Sequence, residues 1–189
     1  MRSSNPCHKG TLLLALLLGL CGLWGKSAQA VQLNFSATLM PGTCTFSLSQ
    51  STVDLGTLMV NAFQPSTLVA AKPFTLSVTN CSGTDASLTP KVVITGDGMS
   101  QDTRWLFRAS DSTVSSGIGV MLVKTATMPV YGTPEVKQND TIDLAPQGVN
   151  PANQDISFYA GATCGSGAGC TAIGSGQLIA RVLFSLDYR

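Results

Sequence analysis

The chain has 189 residues, 11 basic against 10 acidic side chains, and a formal net charge of +1. With 44% hydrophobic and only 11% charged residues it is too apolar to be disordered, and it has no basic field for gripping nucleic acid. The length suits one domain with a short appendage.

The appendage comes first. Arg2 and Lys9 precede an apolar run over residues 12–20, and Ala28, Gln29 and Ala30 offer a small-x-small cleavage site. This is the layout of a secretory signal peptide over residues 1–30, cut between Ala30 and Val31. The apolar run is too short to cross a bilayer comfortably. Lipid attachment at Cys21 is disfavoured because Leu20, a bulky residue, stands before it.

Removing the leader alters the chemistry available. The mature chain, 31–189, keeps eight basic residues against ten acidic ones and loses His8, the sole histidine. Without histidine it can run neither a Ser-His-Asp nor a Cys-His mechanism, and it lacks the common zinc ligand. No catalytic, cofactor-binding or metal-binding residues are assigned.

Cys44, Cys81, Cys164 and Cys170 remain, an even number in an exported chain, and so read as disulfides with three connectivities open. Local closure across the glycine-rich residues 165–169 favours Cys164–Cys170, which leaves Cys44–Cys81. The spacing lacks the paired C-x-x-C knuckles of a four-thiolate zinc site.

Along the mature chain the periodicity is that of strands. Leu33, Phe35, Ala37 and Leu39 alternate with polar neighbours, as do Phe74, Leu76 and Val78. Residues 91–95 form a β-branched run after Pro90. Ile118, Val120 and Leu122 form a further alternating set, followed by Ile156, Phe158 and Ala160. The last set is Ala180, Val182, Phe184, Leu186 and Tyr188. Turn clusters at 82–85, 96–98 and 150–153 separate them. Many short strands at this spacing predict an all-β sandwich over residues 31–189.

Other features read best as structure. Trp105 and Phe107 between Arg104 and Arg108 suggest a sugar platform less than they suggest strand packing. Asp97, Asp102 and Asp111 lack the spacing of an EF-hand. Residues 165–169 lack the lysine of a phosphate loop.

Three stretches resemble a known family. The first is Phe35-Ser-Ala-Thr-Leu-Met-Pro-Gly-Thr-Cys44, followed by Asp54-Leu55-Gly56. The second is Phe74-Thr-Leu-Ser-Val-Thr-Asn80-Cys81-Ser82. The third is the C-terminus, where Gly176 is fourteenth from the end and Tyr188 penultimate, with alternating apolar residues between them. Together they are similar to the pilin subunits of the chaperone–usher, type 1-like fimbrial family, over essentially all of 31–189. Ala37 stands where the family has glycine.

The resemblance implies an incomplete immunoglobulin-like sandwich that lacks its final strand and is completed by a donor strand. It implies a groove bordered by Gly176, Val182, Phe184, Leu186 and Tyr188, with the carboxylate of Arg189 held by a chaperone. The implied partners are a periplasmic chaperone, an outer-membrane usher, other fimbrial subunits and a host receptor. The implied location is the surface fimbrium of a Gram-negative bacterium. With the family-like strand beginning near Leu33, little chain is left ahead of it to donate, which implies a minor or tip-associated role. The alternatives are a single-domain adhesive or capping module of the same fold, and a monomeric secreted sandwich such as an inhibitor.

Overall fold

The computed structural model describes residues 39–189, which form nine strands and two short 3-10 turns. The signal-peptide and cleavage-site expectations, and the strand expectation at Leu33, Phe35 and Ala37, fall outside the described residues. Leu39 is described; it is 90% exposed and belongs to no strand.

The strands are β1 (Thr43–Leu48), β2 (Val69–Ser82), β3 (Pro90–Thr95), β4 (Gly98–Gln101), β5 (Arg104–Phe107), β6 (Gly119–Lys124), β7 (Thr141–Asp143), β8 (Gln154–Thr163) and β9 (Leu183–Tyr188). They make two antiparallel sheets: six strands ordered β1-β2-β8-β6-β5-β4, and three ordered β7-β3-β9. The alternation at Phe74, Leu76 and Val78 becomes the inner face of β2, and that at Ile156, Phe158 and Ala160 the inner face of β8. Strand side chains project to opposite faces in turn, so one apolar stripe per strand is enough to bury one face of a sheet. From the smaller sheet, Val92, Ile94, Ile142, Phe184 and Leu186 close onto that face.

The two sheets meet through three phenylalanines. The rings of Phe74 and Phe158 stack at 5.4 Å, and Phe184 of β9 lies 5.4 Å from Phe158 and 6.3 Å from Phe74. Offset and edge contacts of this kind add about 0.5–1.5 kcal/mol per pair beyond area burial.

Several elements differ from the sequence expectation. β2 begins five residues before Phe74, at Val69, and bends where Ala70 adopts φ +50° and the register with β8 shifts. Gly98, expected in a turn, opens β4. β9 begins at Leu183 although the alternation begins at Ala180. The residues before Leu183 bond instead to the irregular stretch 109–115: Ile179 accepts from the Ala109 N–H at 2.8 Å and Gln177 from the Thr113 N–H at 2.9 Å.

The outer face of the larger sheet has its own apolar patch, Leu106, Met121 and Val123, joined by Leu68, Met99 and Tyr131. The chain between β6 and β7 folds over it and is fastened by Glu135, whose side chain is only 4% exposed. Glu135 accepts from the guanidinium of Arg104 at 2.5 Å and from the Trp105 N–H at 3.3 Å, with Lys137 at 3.4 Å. Burial pushes this carboxyl up, but the Arg104 hydrogen bond and the backbone donors outweigh it and hold it below the usual range.

A carboxyl whose folded pKa is depressed adds stability that is complete above its unfolded pKa. That stability is lost as pH falls through the folded value. Glu135→Gln should therefore flatten the acid limb of stability against pH, measured by denaturant unfolding. Arg104→Ala, which leaves the buried carboxylate only the Trp105 N–H and the more distant Lys137, should cost about 2 kcal/mol near neutrality.

Candidate functional site

The larger sheet has six strands and the smaller three, so part of the inner face has nothing above it. The uncovered part is a groove of about 1090 Å³. Its floor is Phe74 of β2, Ala160 of β8, and Val120 and Leu122 of β6, with Ile118 just ahead of β6. One wall runs from Leu48, the last residue of β1, through Leu55, Leu58 and Val60 to Phe63. The other is the run into β9, with Ile173, Gly176, Leu178, Ala180, Val182 and Phe184.

The second wall is also a sheet edge. Gln177 and Ile179 bond towards residues 109–115, and Arg189 exchanges both backbone bonds with Thr89 at the far end of β9. In an antiparallel ladder, alternate residues bond to opposite sides. The even-numbered residues Leu178, Ala180, Val182 and Phe184 therefore turn their N–H and C=O groups towards the groove. Among the described residues no strand pairs with that edge. An open edge beside an apolar floor is a template for another strand.

The wall is braced from behind. Arg181 donates twice to Asp111, at 2.8 and 2.7 Å, and Ser112 Oγ donates to the Ile179 carbonyl at 2.9 Å. The Arg181 hydrogen bonds hold the exposed Asp111 carboxyl below its ordinary range.

Of the residues the sequence assigned to the groove, Gly176, Val182 and Phe184 lie in its lining. Leu186 is half-buried against the shared core beyond the groove's end. Tyr188 is 8% exposed, sits at that same pole, and its hydroxyl donates to the Gly83 carbonyl at 3.4 Å. A Cβ on Gly42 would collide with both the Tyr188 hydroxyl and the Gly83 carbonyl, so only glycine admits the ring there. Burial pushes the Tyr188 phenol up. Arg189 pairs with Asp187 at 2.8 Å.

Next to this pole Cys44 is bonded to Cys81, joining the start of β1 to the end of β2 where their register shifts. Cys164 is bonded to Cys170. The wall formed by residues 48–63 carries no assignment from sequence. Its apolar residues, Leu48, Leu55, Leu58, Val60 and Phe63, are irregularly spaced and follow neither a strand nor a helix period.

The aromatic, arginine and aspartate side chains around residues 102–108 have partners within the fold. Trp105 packs edge-on to Phe107, with ring centroids 6.1 Å apart, and Arg104 is taken by Glu135. Arg108 donates to the carbonyls of Ile118, Ser112 and Val114. Asp102 accepts from the Ser166 and Gly167 N–H groups. Among the described residues no three metal-ligating side chains come together.

With this geometry in view, comparison with known proteins identifies the class. A model of the fimbrial protein family matches residues 33–189. The chain belongs to that family, whose members are structural proteins of surface pili rather than enzymes. Fimbrial protein 987P of Escherichia coli is 29% identical over 171 residues, 84% of each chain. Among solved structures, the P pilus rod subunit PapA aligns with TM-score 0.48 at 17% identity, over 84% of this chain and 100% of its own. A Burkholderia pseudomallei antigen and type I fimbria protein aligns with TM-score 0.44 at 14% identity, over 78% and 99%.

The buried pole gives a test. Tyr188→Ala should cost about 3–5 kcal/mol in denaturant unfolding, whereas Tyr188→Phe, which loses one long hydrogen bond, should cost about 1 kcal/mol. Equal losses would show that the hydroxyl, not the ring, holds the C-terminus.

Proposed function

We propose that this fimbrial subunit is assembled by strand donation. Its groove is filled first by a strand of a periplasmic chaperone. At an outer-membrane usher, the leading segment of another subunit replaces that strand. The observation that carries this reading is the groove itself, an apolar trough beside an unpaired backbone edge. Strand addition satisfies both at once: backbone bonds supply affinity, and alternate side chains in the trough supply specificity. Subunits joined in this way form a fibre on the surface of a Gram-negative cell, where they support adhesion to a host receptor.

Two positions in such a fibre differ in what the subunit gives. The tip position follows if residues 33–39 already belong to the sandwich. Leu39, the last of the alternating set Leu33, Phe35, Ala37 and Leu39, is 90% exposed and belongs to no strand. Four alternating side chains also match the four on the groove wall, at Leu178, Ala180, Val182 and Phe184. This favours an interior subunit that both accepts and donates, with residues 33–39 of one copy lying in the groove of the next.

A peptide with the sequence of residues 31–40, added during refolding of the purified chain, tests the reading. At ~1.5 kcal/mol per buried side chain and ~2–4 °C per kcal/mol, it should raise the melting temperature by roughly 15 °C. A Phe35→Asp peptide should not. Val182→Asp in the chain should abolish the gain, and Lys124→Ala should leave it intact. Equal melting with and without the native peptide would sink the proposal.

A further inference from the structure

The end of the groove away from Tyr188 is shaped by the second disulfide. After Ile156, Phe158, Ala160 and Ala162, Cys164 continues the inward stripe of β8 and is fully buried. Its bridge returns the chain, through the 3-10 turn Ala168–Cys170, to within three residues of Ile173. Cys164, Cys170, Ile173 and Leu178 pack in one apolar cluster with Phe63, Ile118 and Ala162. Four of these, Phe63, Ile118, Ile173 and Leu178, also line the groove.

The bridged loop is fixed from three further sides. Asp102 accepts from the N–H groups of Ser166 and Gly167, both at 2.8 Å. The Gly165 carbonyl accepts from the Ser66 N–H at 2.8 Å. Gly169 lies so close to Gly117 that a Cβ on either would collide with the other's backbone. The chain that follows is held far less. Residues 171–176 are exposed except Ile173; Thr171 bonds back to the Ala168 carbonyl, and the next attachment is the Gly174 N–H on Ser115 Oγ. The bridge therefore ties a loop held on several sides to a stretch of the groove wall that has few bonds of its own.

We propose that Cys164 and Cys170 are a positioning pair for strand capture. Their disulfide holds Ile173 and Leu178 against Phe63 and Ile118, and so builds the pocket that receives the end residue of an inserted strand. The inference rests on the strand-accepting reading above, with residues 33–39 of a second copy as occupant. Loss of the bridge leaves the middle of the groove, at Phe74, Leu122 and Phe184, unchanged. It removes the pocket at one end alone, so its effect must fall on a terminal leucine of the occupant and not on Phe35.

The test uses the purified chain, refolded with a labelled peptide of residues 31–40, and reads dissociation after dilution into unlabelled peptide. The native chain is compared with a chain carrying both Cys164→Ser and Cys170→Ser. The native peptide should leave the double variant about tenfold faster. Of the Leu33→Ala and Leu39→Ala peptides, one should leave the native chain much faster than the native peptide does, yet show little further loss on the double variant. A Phe35→Ala peptide should lose the same factor on both chains. Ile173→Ala, which keeps the bridge, should blunt the same terminal leucine, and this arm stands if the double variant does not fold. If every peptide is equally sensitive on all chains, the positioning role is overturned while strand acceptance stands. If the native peptide does not bind the native chain, strand acceptance fails and the positioning role with it.

Discussion

The structure is governed by a shortage of strands in one of its two sheets. Six strands present an apolar inner face, and three strands face them. Apolar area left in water forfeits about 25 cal/mol per Å², and unpaired backbone in a dry trough costs more again. Everything around the groove bears on this imbalance. Phe184 reaches across from the edge strand to Phe158 and Phe74, and so keeps the smaller sheet docked where it ends. Ahead of Leu183 the wall is held from behind by a few backbone bonds to residues 109–115 and by the side chains of Ser112 and Asp111, in place of a regular ladder.

The two disulfides stand at opposite ends of the trough and do different work. Cys44–Cys81 closes the pole where Tyr188 is wedged beside Gly42 and Gly83, and there the fold is complete. Cys164–Cys170 lies where the fold is open and stiffens a wall that has few other attachments. Crosslinks suit a domain whose own core is interrupted, because they stabilise it without requiring more buried area.

Much of the inner face was legible in the sequence. Phe74, Leu76, Val78, Ile156, Phe158 and Ala160 alternate because each strand has one buried side, and a period of two is hard to mistake. β4 and β7 were not legible. Four residues beginning with glycine and three residues flanked by turns carry no periodic signal, and their pairing comes from neighbours already in place. The C-terminal alternation marked the groove wall through Phe184 but did not reveal where the groove stops. Leu186 and Tyr188 continue the pattern perfectly well while packing against a closed pole, since alternation reports a buried side and not what covers it. The wall formed by residues 48–63 was invisible for the converse reason: it is apolar without being regular.

The position of Cys44 also determines how the domain bears tension. Cys44 is the second residue of β1, and its sulfur is bonded to that of Cys81, near the end of the longest strand of the larger sheet. A pull on the chain ahead of Thr43 thus reaches β2 through a covalent bond after only two residues. β1, the wall of residues 48–63 and most of β2 lie inside the loop that this bond closes, so none of them is stretched. The load passes from Cys81 into the loop towards β3, whose partner β9 forms the other wall of the trough. Such a domain can be drawn taut from its leading end without its groove being peeled open from that side.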